Sequence, residues 1–495
     1  MTTIEVRNPR NGELLRSLPE TPAAEVAEAV ERARRAQRAW GELPFEQRAD
    51  ALRRLVRRLR DDARVLELLV AESGKPRYEA ELFELLYTLE LTRFYTSREA
   101  RDALADDVRG SRLFPNKRAR VVYHPRGVVG VIGPWNWPLL NNFADAVAPL
   151  LAGNAVILKP SEWTPLTSLR IAELWNEEGL PADVLQVMVG RAEVGQALVD
   201  RCDMIFFTGS QRAGRQIAVR CAERLIPCVL ELGGKSSMIV LRDADLPRAA
   251  RAAVWSGFAH SGQVCIRTER VFVEEPVADA FIELCRREAE RLRHGPGRAP
   301  DDIDVGAMTF PPQLSHLERL VADATQRGAH VLLGGRRGPG PGNYFEPTIV
   351  TDATASMAVM NEETFGPVLP IMRVRSAEEA VRLTNESSLG LSGSVWSQDT
   401  DKANALARCI ESGSVCVNDV LFNYLCVEAP LGGIKGSGLG LRHGVEGLRQ
   451  FCRLETVVED RPALRGVSGV VSGLLSFPYD SRMISAARAM MKIWL

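Results

Sequence analysis

Cys265 is the residue best placed by type and setting for covalent chemistry. It lies in Ser261-Gly262-Gln263-Val264-Cys265-Ile266-Arg267-Thr268, between a run that reads as a helix, Leu246 to His260, and one that reads as a strand, Arg270 to Glu274. A loop at the edge of a scaffold is a common place for a nucleophile. Thiolate chemistry needs a partly accessible sulfur and a second group to finish the reaction. Glu231, in Glu231-Leu232-Gly233-Gly234-Lys235, is the candidate for that second group. Spacing alone leaves a bland alternative open, because a cysteine beside an apolar helix also reads as a small buried hydrophobe. A Cys-His hydrolase is a rival from another class, with His260 placed at the end of the preceding helix.

The elements that must hold these residues alternate in kind. β-Branched runs at Gly127 to Ile132, Asn154 to Leu158, Leu185 to Val189, Met204 to Thr208 and Val229 to Leu232 are separated by helical patterns at about 139–151, 166–178, 192–200 and 211–224. That alternation predicts a parallel sheet covered by helices on both faces. A second series follows Gly234, with strands at 237–240, 270–273, 330–333, 368–374, 393–396 and 414–418. The reading is therefore two doubly wound α/β domains, a Rossmann-like nucleotide-binding one and a catalytic one carrying Cys265, with a small β arm. Boundaries fall at 1–104 and 126–234 for the first, 235–430 for the second, 105–125 and 431–460 for the arm, and 461–495 for a tail. Before the first strand the pattern predicts an extended lead over 1–20 and helices from Thr21, from Pro44 to Ser73 and from Arg77 to Arg98.

Composition excludes several classes. With 495 residues the chain exceeds one core, and a formal net charge of −1 gives no reason to expect a nucleic-acid partner. The arginine run from Arg53 to Arg60 is flanked by Asp50, Asp61 and Asp62 and carries leucines at helical spacing, which is a solvated helix face. Nine cysteines with no Cys-x-x-Cys pair fit neither a disulfide framework nor a zinc ribbon, so no metal is expected and reduced thiols are. The first residues have no apolar core for a signal peptide, and the expected location is cytoplasmic.

Glu231-Leu232-Gly233-Gly234-Lys235 followed by Gly262-Gln263-Val264-Cys265 resembles the two signature segments of the aldehyde dehydrogenase superfamily. Pro134-Trp135-Asn136-Trp137-Pro138, Lys159-Pro160-Ser161-Glu162, Phe207-Thr208-Gly209-Ser210, Glu363-Thr364-Phe365-Gly366-Pro367 and Gly432-Gly433-Ile434-Lys435 resemble its other motifs, in the family's order. The resemblance implies NAD-dependent oxidation of an aldehyde to its acid, with NADP an admissible cofactor. Cys265 would be the nucleophile, Glu231 the general base for thioester hydrolysis and Asn136 an oxyanion donor. It also implies that Gly209 and Ser210 meet the pyrophosphate, Lys159 and Glu162 the adenosine ribose, and Glu363 and Phe365 the nicotinamide end. Trp135 and Leu232 would be further cofactor contacts. Taken alone, Gly209 to Gly214 is neither Gly-x-Gly-x-x-Gly nor a Walker loop, and reads equally as a plain strand-to-helix turn.

Two alternatives stay open: a relative that passes the thioester to coenzyme A, against which Glu231 argues, and a non-catalytic protein on the same fold. The resemblance also implies a homodimer or homotetramer built through the arm. Arg442-His443-Gly444 and Phe477-Pro478-Tyr479 resemble the class-3 and fatty-aldehyde branch, although the N-terminal lead is unlike it. From Ser481 to Leu495 apolar residues recur at helical spacing beside Arg482, Arg488 and Lys492, which predicts a tail that docks on a subunit or rests peripherally on an anionic membrane.

Overall fold

The computed structural model describes residues 2–112, 114–461, 476–478, 484–485, 488 and 491–492. The first sheet joins five parallel strands in the order Leu185–Val187, Ala155–Lys159, Val128–Ile132, Met204–Thr208 and Cys228–Glu231. Most positions in these strands are buried. That is why they read as continuous apolar runs and not as alternating ones. Strand order reverses on either side of Val128–Ile132, and a crevice opens beyond the carboxyl ends at such a point. Trp135 and Asn136 follow one of the two strands there, and Gly209 and Ser210 follow the other.

The second sheet runs His330–Leu333, Thr348–Thr351, Val368–Val374, Arg270–Glu274, Ser237–Val240, Ser392–Trp396 and Ser414–Val417. All neighbours are parallel except His330–Leu333, which pairs antiparallel with Thr348–Thr351. Thr348–Thr351 is a strand that the pattern reading passed over. The arm is a three-stranded antiparallel sheet in which Cys452–Asp460 pairs with Lys117–Pro125 along its whole length and Asp107–Gly110 closes the other side.

Several expectations need correction. The helix expected over 44–73 is two helices, Phe45–Asp61 and Ala63–Ser73, because Asp62 turns extended and its side chain caps Arg64 N. Leucine periodicity continues across this break and hides it. The helix expected from Arg77 passes through a π-helical stretch at Ala80–Leu86 and stops at Tyr95, where Ser97 caps a new helix, Arg98–Ala103. The lead over 1–20 is extended as expected, and its two strands, Thr3–Arg7 and Leu14–Pro19, pair as a β-hairpin. Residues 431–451, assigned to the arm, do not join it: Ile434–Lys435 pairs with Leu389–Gly390, and Gly438–Leu439 adds antiparallel to Cys228–Glu231. This segment joins the edge of the first sheet to a separate two-stranded pair with Leu389–Gly390. The tail helix expected over 481–495 lies largely outside the described residues.

Candidate active site

Close approach of three chain segments builds the site, and glycines permit it. A Cβ on Gly234 would sit 2.8 Å from the Cys265 carbonyl oxygen, so only glycine lets the Glu231 segment lie against the cysteine loop. Gly262 has φ +74, and a Cβ there would lie 2.3 Å from the Gly366 carbonyl. The helix before Cys265 ends at Phe258, two residues earlier than the apolar pattern suggested. A tight turn follows, with His260 and Ser261 at φ 48 and 55.

Cys265 is half-buried and stands where two cavities meet. One is a cleft lined by Trp135, Asn136, Gly209, Glu231, Glu363 and Phe365 among others. The second is apolar. Burial pushes the thiol up to about 12; Arg442 opposes the shift, and Glu231 and Glu363 add to it. Glu231 ends its strand opposite Thr208 and Gly438. It is 6% exposed, and its Oε1 has no hydrogen-bond partner among the described residues. Burial raises its carboxyl to about 7, against the pull of Arg442. A carboxylate with a free oxygen and that pKa can exchange a proton near neutrality.

Asn136 Nδ2 donates to Gln263 O at 2.8 Å, which leaves the second hydrogen of the amide for the cleft. Its backbone oxygen accepts from Lys75 Nζ at 3.0 Å and meets His260 Nε2 at 2.6 Å. Lys75 is paired in turn with Glu84, which also accepts from Leu139 N and Leu140 N at the start of the next helix. Burial holds the His260 imidazole well below its ordinary pKa, so it is neutral. It lines neither cavity and bonds behind Asn136, which removes the Cys-His hydrolase rival.

At the cleft's far side Ser210 caps helix Gln211–Glu223 by accepting from Ala213 N, and Gly209 N donates to Glu231 O at 3.0 Å. The first N–H groups of a helix make a ready anion site. Leu232 lines the same cleft. Trp135 stacks on Phe310 at 5.5 Å and meets the edge of Phe365 at 5.5 Å. Glu363 accepts from Gly234 N at 2.9 Å, and burial, with Glu269 nearby, raises its carboxyl to about 7. Glu269 fixes this loop, accepting Thr364 N at 2.8 Å and Phe365 N at 3.0 Å. Lys159 and Glu162 sit apart from these residues, at the end of the neighbouring strand. Lys159 Nζ donates to Pro160 O at 3.1 Å and lies 3.9 Å from the half-buried Glu162 carboxylate.

Sequence reasoning missed a polar group beneath the cleft. Arg442 donates Nη2 to Asp145 Oδ2 at 2.5 Å and Nη1 to Asn141 Oδ1 at 3.0 Å, and also bonds the Tyr424 hydroxyl and Thr208 Oγ1. Asn141 and Asp145, polar residues inside the largely apolar run 139–151, were the readable signal. Arg442 stood in Arg442-His443-Gly444, singled out only as a branch resemblance, and nothing local gave it this role. Phe310, Gln313 and His316 were missed as well. Gln313 and His316 bond the carbonyls of Thr364 and Glu363, which braces the loop bearing Phe365.

The profile of the aldehyde dehydrogenase family matches residues 1–457. The chain is 40% identical over 458 residues to the 4,4'-diapolycopene aldehyde oxidase of Methylomonas sp, covering 91% of this chain and 84% of that one. It is 38% identical over 474 residues to a Mycolicibacterium smegmatis protein named for succinate-semialdehyde dehydrogenase with NADP, covering 93% and 90%. Among solved structures, the Mycobacterium tuberculosis aldehyde dehydrogenase complexed with NAD+ superposes with a TM-score of 0.87 at 34% identity, over 92% of this chain and 94% of that one. An E. coli NADP-dependent enzyme superposes with a TM-score of 0.89 at 31% identity, over 93% and 95%.

Proposed function

The chain belongs to the aldehyde dehydrogenase family, and from that premise we propose how its residues oxidise an aldehyde to a carboxylic acid. The observation that carries the proposal is the position of Cys265. It lines the polar cleft with Glu231 and Asn136 and also lines the apolar cavity. One sulfur can thus meet a carbonyl carbon whose body lies on one side and whose hydrogen faces the other.

The Cys265 thiolate adds to the aldehyde carbon. The new oxyanion accepts from the free Asn136 N–H and the Cys265 backbone N–H, and one such donor contributes roughly 3 to 4 kcal/mol of transition-state stabilisation. A nicotinamide dinucleotide held in the cleft would supply the hydride acceptor. The donor set fits it: Gly209 and Ser210 at a helix N-terminus for phosphates, the Trp135 and Phe365 rings, Leu232, and the Glu363 carboxylate, with Lys159 and Glu162 toward the adenosine ribose. A half-exposed Glu162 disfavours a 2′-phosphate, so NAD is preferred and NADP tolerated. Once the hydride has left, the acyl group remains on Cys265 as a thioester. Glu231 takes a proton from the water that cleaves it, which returns the thiolate and releases the acid.

The finer assembly belongs to the same proposal. Strand Cys452–Asp460 is an open edge nine residues long, and Leu454, Val457 and Val458 on it are exposed. An open edge of that length with three exposed apolar side chains invites pairing, which supports a homodimer or homotetramer. Free cysteines throughout the described residues suit a reducing, cytoplasmic setting, and no helix of the described residues is long and apolar enough to cross a membrane. The test is product analysis. Acid formed without coenzyme A, and an acyl adduct on Cys265 detected in the intact chain, are the expected results. Strict dependence on coenzyme A would overturn the role given to Glu231.

A further inference from the structure

Beyond Cys265 the apolar cavity draws its walls from distant parts of the chain, among them Phe83, Trp137, Trp255, Ile266, Leu421 and Tyr424. None of its twelve lining residues carries a formal charge. The Tyr424 hydroxyl and the Asn141 side-chain oxygen in its wall are already engaged. The Tyr424 hydroxyl donates to Asn141 Oδ1 at 3.0 Å, and the same oxygen accepts from Arg442 Nη1 at 3.0 Å. The cations nearest the wall are both buried and committed. Lys75 Nζ lies 3.9 Å from the centre of the Trp137 ring and is paired with Glu84, while Arg442 is paired with Asp145.

The wall also leads outward. Ring centres step from Trp255 to Phe83 at 5.8 Å and from Phe83 to Tyr78 at 6.4 Å, and Phe422 flanks Trp255 at 6.4 Å. Tyr78 and Phe422 are 68% and 48% exposed, so apolar surface continues from beside the nucleophile to the solvent. Leu421, in this wall, is held at φ 66. A branched residue rarely adopts that conformation unless its surroundings impose it.

We infer that this cavity selects uncharged aldehydes with a large apolar body, aromatic or long-chain aliphatic, and rejects aldehydes that carry a carboxylate. The inference rests on Cys265 being the nucleophile of an aldehyde dehydrogenase. A carboxylate entering this wall would lose its water and meet no free cation, whereas each methylene would leave water for an apolar lining. Likeness to a protein named for succinate-semialdehyde dehydrogenase therefore does not carry that substrate to this chain.

The test is NAD(P)H formation by the purified full-length protein on propanal, hexanal, decanal, benzaldehyde, succinic semialdehyde and the methyl ester of succinic semialdehyde. Each methylene that enters the cavity should raise kcat/KM about fourfold until the tail emerges. The neutral ester should exceed the acid by on the order of a hundredfold. Equal or better use of the acid, or a flat chain-length series, overturns the inference while leaving the aldehyde dehydrogenase reading intact. Silence across the whole panel overturns that reading, and the inference with it. Leu421→Arg places a cation in the wall and should reverse the ester-to-acid ratio. An unmoved ratio in a variant that melts as the wild type does counts against the proposal, and the wild-type ratio decides the matter if that variant does not fold.

Discussion

Two buried charge clusters flank the catalytic segments, one around Glu269 and one around Glu231, and they differ in how completely they are paired. Glu269 accepts from Lys235 Nζ at 2.7 Å, Arg267 Nε at 2.8 Å and two backbone N–H groups. Burial works against its ionisation, yet Arg267 and Lys235 hold it down to about 2. Glu231 is equally enclosed, but one of its oxygens is unpartnered and its carboxyl stands near 7. Arg442, the cation that favours its charge, is bonded to Asp145 and not to Glu231. A fully paired carboxylate is locked in one protonation state and serves as a brace. An unpaired one can pass a proton at physiological pH.

Neutralising the two glutamates gives the sharpest test of that contrast, with the nucleophile as reference. Cys265→Ala should abolish both the first NADH burst and turnover. Glu231→Gln should still release up to about one NADH per site and then stall, with steady-state turnover lowered by about 10²- to 10⁴-fold. A slower burst is compatible with Glu231 also helping to ionise the cysteine. Loss of the burst to the degree seen in Cys265→Ala would show instead that Glu231 is indispensable for acylation.

Glu269→Gln should act mainly on stability, lowering it by about 3 to 5 kcal/mol because Lys235 and Arg267 are left buried without their counter-ion. Linkage fixes the sign in the wild type. The folded pKa lies below the unfolded one, so this stabilisation is present above about pH 4.5 and is lost as the pH falls toward 2. Denaturant titrations across that range should show the loss, and a Glu269→Gln protein as stable as the wild type at pH 7 would end the distinction between brace and base.

A smaller effect is expected from the pair under Glu231. In the wild type kcat should fall as the pH drops below about 7, because a protonated Glu231 cannot activate water. Removing the pair as Arg442→Met with Asp145→Asn takes away a cation that lowers the Glu231 pKa more than Asp145 raises it. The acidic limb should then move alkaline by about half a unit to one unit. A limb that stays in place would mean that Arg442 only packs.

The smallest shift concerns Lys159 and Glu162, a looser pair with the carboxylate partly open to solvent. Glu162→Ser should move the ratio of NADP to NAD specificity constants toward NADP by about tenfold or less, through loss of one charge near the ribose. An unchanged ratio measured on one aldehyde would remove Glu162 from the cofactor site.

The sequence by itself singled out the residues proposed to carry the chemistry and determined the kind of scaffold beneath them. Cys265, Glu231 and Asn136 stand in motifs, and the runs at 128–132, 155–159 and 204–208 are buried strands because apolar continuity is a local property. Glycines 234 and 262 were visible as letters, but their reason, the carbonyls of Cys265 and Gly366 lying where a Cβ would be, was not. Tertiary structure alone decided that 438–439 joins the first sheet, that His260 supports Asn136 from behind, and that Arg442 lies beneath Glu231. It also decided which of two buried glutamates keeps a free oxygen. These depend on groups brought together from Asp145 to Arg442 and from Lys235 to Thr364, and desolvation and pairing are fixed by such distant neighbours, which periodicity and spacing along the chain do not encode.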